Sequence, residues 1–161
     1  DRDLVDWVFD PANPTSNRSA RAVDLDTWGV EFRAQRSWEN IRLITGYTWM
    51  HKQDRYASSV DASFYALNFA SHRLTAALIV DLGHGFEIRS DNEFRIQEKN
   101  SLRSGTRTPL FSSLALAYTV PTLPELRIVA QIDNLWNVYY EEVPLVPGTP
   151  RTWSIQATYI W

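Results

Sequence analysis

"FEIRSDNEFRIQEK", Phe86 to Lys99, alternates almost without error. Phe86, Ile88, Ser90, Asn92, Phe94 and Ile96 fall on one side of an extended chain, and Glu87, Arg89, Asp91, Glu93, Arg95 and Gln97 on the other. A period of two is the signature of a strand, whose successive side chains point to opposite faces. Apolar side chains on one face with charges of both signs on the other suit a soluble sheet with one wet face. They suit equally well the wall of a membrane barrel around a watery lumen.

The same period recurs on both sides of this stretch. Leu74, Ala76, Leu78, Val80 and Leu82 oppose Arg73, Thr75, Ala77, Ile79 and Asp81; Leu114, Leu116, Tyr118 and Val120 oppose Ser113, Ala115, Ala117 and Thr119. Leu126, Ile128, Ala130 and Ile132 alternate with Arg127, Val129, Gln131 and Asp133, and Trp153, Ile155, Ala157, Tyr159 and Trp161 with Thr152, Ser154, Gln156 and Thr158. Residues 22–35 and 40–53 follow suit, and a first strand falls at 2–9, which makes about eight strands and no convincing amphipathic helix. The pattern predicts an all-β, antiparallel meander of hairpins.

The connections alternate in length. "RSWEN" at 36–40, "GHG" at 83–85 and "PTLP" at 121–124 are tight turns, whereas 10–20, 54–68, 98–108 and 138–150 are long, polar or proline-containing loops. Antiparallel neighbours therefore gather the short turns at one end and the long loops at the other, the asymmetry of an outer-membrane barrel. Strands of about 10 to 14 residues reach a tilted span of the hydrocarbon layer. Trp38, Phe86 and Trp161 lie at the short-turn end, and Trp49, Trp136, Tyr139, Tyr140 and Trp153 near the long-loop end. Such rings favour membrane interfaces, because their bodies are apolar and their N–H or O–H groups need a wet partner.

Composition excludes several alternatives. The chain has 161 residues, a formal charge of −3 and no cysteine. Nucleic acid is not a predicted partner of so weakly acidic a chain, and neither a disulfide framework nor a thiolate site is open to it. The longest charge-free run, "TPLFSSLALAYTVPTLP", is broken by prolines and small polar residues, so any lipid contact is made by strands. The opening "DRDLVDWVFD" has no basic n-region or apolar h-region, so an export signal is expected to have been removed or to lie upstream. His51, His72 and His84 are too scattered to predict a metal site, and no phosphate-binding glycine loop or nucleophile elbow is present. No cofactor and no catalytic residues are predicted.

The closing segment "QIDNLWNVYYEEVPLVPGTPRTWSIQATYIW" resembles the C-terminus of TonB-dependent outer-membrane receptors. In that family a D-N-L-[FW]-[ND]-x-x-Y segment leads through a last loop into P-x-P-G-R-[TS] and a final strand ending on an aromatic residue. Asp133, Asn134, Leu135, Trp136, Asn137 and Tyr140 match the first part, and Pro147, Gly148, Pro150, Arg151 and Thr152 approximate the second. "WGVEF" at 28–32, "GYTW" at 46–49 and "LNFASHRL" at 67–74 look like the family's late strands, so the likeness spans most of the chain. It departs at Ser71, where the family often has proline, and at Gln156, where it often has glycine.

The resemblance implies that residues 1–161 are the C-terminal part of a 22-stranded transmembrane barrel, with the plug and the TonB-contact segment absent from this chain. It implies residence in the outer membrane of a Gram-negative bacterium and active, non-enzymatic uptake of a scarce ligand such as an iron-siderophore complex or cobalamin. The partners implied are outer-membrane lipid, the TonB complex, the barrel-assembly machinery and the ligand itself. Glu87, Arg89, Asp91, Glu93 and Arg95 are then lumen-facing, touching plug or ligand; Tyr139, Tyr140, Glu141 and Glu142 are outer-loop ligand contacts. Trp153, Ile155, Tyr159 and Trp161 form the assembly signal of the last strand. The charged row reads alternatively as a solvated wall whose cross-strand pairs contribute about 0.2–1 kcal/mol each. Two further readings stay open: a stand-alone eight-stranded barrel serving as anchor, passive pore or enzyme, and a soluble β-sheet domain that binds a ligand.

Overall fold

The computed structural model describes residues 4–9, 18–56 and 62–161, and every regular element in them is a strand. In chain order these are β1 (Leu4–Phe9), β2 (Ser19–Ser37), β3 (Ile41–Tyr56), β4 (Ala62–Ser63), β5 (Ala70–Gly83) and β6 (Phe86–Gln97). They continue with β7 (Leu110–Thr119), β8 (Leu126–Asp133), β9 (Glu141–Val143), β10 (Val146–Pro147) and β11 (Thr152–Tyr159). The long strands form one antiparallel meander in the order β11-β8-β7-β6-β5-β3-β2-β1, with β4 added at the far edge of β1; β9 and β10 make a separate small hairpin. Eight of these strands match those read from the alternation. The two-residue β4 and the β9–β10 hairpin lie in segments expected to be loop, because their pairing depends on partners the local pattern does not name.

Boundaries move where pairing outlasts the apolar pattern. β2 and β3 stay in register from Val23 opposite Tyr56 to Ser37 opposite Arg42, so both run past the expected 22–35 and 40–53. Part of the predicted first long loop, part of the second, and the first two residues of the expected 2–9 strand lie outside the described residues. The sheet does not close into a barrel. Among the described residues β11 pairs only with β8, and β2 from Asp24 to Ser37 pairs only with β3, which leaves two open edges.

The tight turns form for local reasons. At the β5–β6 hairpin, His84 and Gly85 both take positive φ (52° and 85°), the conformation of a two-residue turn whose twist matches that of its strands. A Cβ at Gly85 would run into the carbonyl oxygen of Thr119, so glycine is required there twice over. At the β2–β3 turn, Trp38 donates its N–H to the Ile41 carbonyl at 2.8 Å.

Register aligns like with like across the sheet. Tyr47 faces Leu74, Leu74 faces Phe94 and Phe94 faces Leu110; Ile88 faces Leu116, Leu116 faces Ala130 and Ala130 faces Ile155. One face is thus largely apolar, and among the described residues no second layer covers it. Leu78 is 41% exposed and Ile128 38%, values incompatible with burial between two stacked sheets. The polar residues on this face satisfy one another. Trp136 donates its indole N–H to Ser112 Oγ (2.8 Å), Ser112 Oγ donates to Asn92 Oδ1 (2.7 Å), and Asn92 Nδ2 donates to Ser90 Oγ (3.0 Å). Above them Trp28, Trp49 and His51 pack edge to face, and Tyr47 and His72 share a 2.8 Å hydrogen bond.

The chain's small packed core lies elsewhere, at the long-loop end of the polar face. There the 62–69 segment crosses β2 and β1, seats Phe64 (1% exposed) with Val8, Val23, Leu25 and Ala62 in the buried set, and pairs β4 with the edge of β1.

Candidate functional site

The polar face carries the charged row as predicted by the alternation, and its charges are paired. Glu87 takes a 2.7 Å bond from Arg127 across β7, where the facing residue is only alanine, Ala117. Arg89 binds Asp91 two residues along the same strand at 2.6 Å. Glu93 is shared by Arg73 (2.7 Å) and Arg95, and Arg95 also reaches Glu142 at 3.0 Å. The Arg73–Glu93–Arg95–Glu142 ladder therefore runs from the middle of the sheet to the last long loop. Most of these groups are half exposed, and pairs of that kind contribute no more than about 1 kcal/mol each; the ladder neutralises the wall more than it stabilises it.

Among the described residues this face holds hollows of two sizes. The larger, of about 540 Å³, is lined by Glu31, Arg33, Arg73, Thr75, Arg89 and Glu93 among others. The smaller, of about 300 Å³, lies beside Glu87, Arg127 and Gln131. Both are lined by charges of both signs, hydroxyls and short side chains, a surface suited to polar segments or hydrated solutes rather than to an apolar ligand.

Among the four residues expected to contact ligand from the last loop, the structure separates two kinds. Tyr139 is exposed, with its hydroxyl donating to Glu141 Oε1 at 3.5 Å, and Glu142 is half exposed and pairs with Arg95. Tyr140 packs edge to face on Phe111 at 4.4 Å, and Gly148 lies so close beneath its ring that no Cβ fits there. Glu141 is 2% exposed. Its carboxylate accepts from the N–H of Leu145 (3.0 Å), the N–H of Ser104 (3.3 Å) and the Ser104 hydroxyl. Burial by itself would raise the Glu141 pKa, but these hydrogen bonds and the nearby Arg103 outweigh it and hold the carboxyl below the usual value of 4.5. Arg103 moves down from its ordinary value, chiefly because burial disfavours its charge, against the pull of Glu141 and Glu142. Burial likewise pushes the Tyr140 phenol up.

The D-N-L-W stretch works as a corner. Asn134 takes positive φ (49°), which asparagine tolerates better than most residues. Its side chain accepts the Val138 N–H at 2.9 Å and donates to the Val138 and Thr149 carbonyls at 3.1 Å each. Asn137 repeats the device, with φ 52° and its Oδ1 accepting the Arg151 N–H at 3.0 Å. This corner turns the chain so that Trp136 folds onto Ser112. Asn134→Gly, which keeps the backbone conformation but removes these bonds, is expected to lower stability by about 1–2 kcal/mol in a denaturation titration.

Trp153, Ile155, Tyr159 and Trp161 lie along the open edge strand β11 and its end, all strongly exposed. Two groups central to the long-loop end escaped the sequence reading. Asp6 (2% exposed) accepts hydrogen bonds from Ser63 Oγ (2.6 Å), Tyr56 OH (2.7 Å), Ala66 N–H (3.2 Å) and Tyr65 N–H (3.3 Å). Arg103 binds the side-chain oxygens of Asn68 and Gln97 and the carbonyl of Glu141. Asp6 is the one charge in an apolar strand and Arg103 one charge in a polar loop, and neither local pattern names the partners that bury it. Among the described residues no group of three or more His, Asp or Glu side chains is placed to hold a metal ion. No protein-family model matches the chain, and a search of the curated proteins finds no match either.

Proposed function

We propose that this chain is part of the barrel wall of a TonB-dependent outer-membrane receptor, a non-enzymatic transporter for a scarce ligand such as a metal chelate or cobalamin. The observation that carries the reading is a single-layer sheet with an uncovered apolar face and an ion-paired polar one. On β2 the apolar band is bracketed by Asp26 and Arg36. Residues 27–35 between them, at roughly 3.3 Å each and tilted by ~40°, rise ~23 Å, close to the ~25 Å apolar height of an outer-membrane barrel.

The open edges support continuation of the wall. In lipid each unpaired edge N–H or C=O costs several kcal/mol, so a sheet placed there must close on itself or be joined by further strands. Closure of eight strands alone would pack the Glu87–Arg95 row into an interior with room only for side chains. A wide, plugged lumen leaves that row hydrated, with the larger hollow facing plug or ligand, the long loops outside and the C-terminal strand as the assembly signal.

The test begins with location. In the bacterium that carries it, the full-length protein is expected in the outer-membrane fraction. Its deletion is expected to abolish growth on at least one ferric chelate or a cobalamin-type nutrient, with loss of TonB giving the same phenotype. Recovery in the aqueous fraction without detergent would overturn the membrane reading. Membrane recovery with TonB-independent passage of solutes would favour a passive barrel instead.

A further inference from the structure

The three described long-loop segments at one end of the sheet are triangulated by hydrogen bonds. Segment 62–69 is joined to 98–109 by Asn100, whose Nδ2 donates to the Ser63 carbonyl at 2.6 Å, and by Arg103, which binds Asn68. Segment 98–109 is joined to 134–151 by Arg103 on the Glu141 carbonyl and by Ser104 on the Glu141 carboxylate. The third side is Asn68 Nδ2 donating to the Glu142 carbonyl at 2.7 Å. Two of its three corners are anchored by a buried carboxylate: Asp6 beneath the first segment and Glu141 within the third.

We propose that these three segments open and close as one cooperative cap, with Arg103 as the hub that transmits movement of any one of them to the other two. The reason is the cost of partial opening. Arg103 serves acceptors on the first segment, the end of β6 and the third segment, so withdrawal of either loop strands donors of a half-buried guanidinium. Withdrawal of 62–69 likewise strips Asp6 of the donors from Ser63, Tyr65 and Ala66. Opening all three together rehydrates every group at once, which makes the cap a two-state element of the kind that coupling between separate sites requires. This inference does not depend on what the barrel transports.

Hydrogen exchange on the intact protein in its own lipid or detergent tests it. The amides to follow are Tyr65 and Ala66, bonded to Asp6, Leu67, bonded to Ser63 Oγ, and Leu145, bonded to Glu141; none of them touches Arg103. In Arg103→Gln, protection is expected to fall by about tenfold or more at 65–67 and at 145 together, while the central amides of β5 to β7 keep theirs. Loss confined to 98–109 would overturn the proposal. Should Arg103→Gln fail to fold, Asp6→Asn decides: faster exchange at Leu145, in a different loop from the substitution, supports the coupling, and unchanged exchange there refutes it.

Discussion

Leu116→Arg is expected to cost about 2–4 kcal/mol when the protein folds in a bilayer, and no more than about 0.5 kcal/mol if the same face meets water. Leu116 lies mid-strand on β7, opposite Ile88 on one side and Ala130 on the other, and is 44% exposed, so the new side chain clashes with nothing. What changes is the medium around the guanidinium. At the midplane an arginine must snorkel or thin the bilayer, whereas in water it is simply solvated. Unfolding titrations in lipid vesicles, with Ala115→Arg on the polar face as companion, separate the two cases. A small cost for Leu116→Arg in vesicles, equal to that of the companion, would remove the lipid-facing assignment and the transport reading with it.

Glu141→Ala is expected to lower the opening free energy of the last loop by about 2–3 kcal/mol, read from exchange of the Leu145 amide. The substitution leaves the Leu145 N–H, the Ser104 N–H and the Ser104 hydroxyl without their acceptor in a buried site. The same group predicts the sign of the pH response. Because the folded-state pKa of Glu141 lies below its unfolded value, its stabilisation is fully present above the ordinary carboxylate value of 4.5. It is lost as pH falls through the depressed folded value. Protection of Leu145 should therefore decline as the medium is acidified below the ordinary carboxylate value of 4.5, and Glu141→Gln should abolish that component. Protection indifferent to acid in the wild-type chain would show that the carboxylate does not hold the loop.

Glu141 also marks where reading the sequence reaches its limit. In the chain it is one of two adjacent acids in a polar loop, and ligand contact is the natural expectation for both. The fold divides them: Glu142 stays at the surface on Arg95, while Glu141 turns inward and is consumed by its own loops. The same holds at Asp6, which the sequence placed only within a first strand, with no hint that segment 62–69 returns to meet it. Asn134 stood within a recognised motif, yet its role as a left-handed corner emerges only from φ and its partners at Val138 and Thr149.

What the chain itself determined was the strand content, the meander, the tight turns and the two-faced character of the sheet. Those follow from the period of two and from glycine's freedom at positive φ, properties of residues a few positions apart. Tertiary structure alone decided that the sheet is one open layer, that its charges pair into a ladder, and that three loops lock over one end through Asp6, Arg103 and Glu141. Those outcomes rest on contacts between residues up to 74 positions apart, such as Asn68 with Glu142, where no local pattern distinguishes a buried polar group from a solvated one.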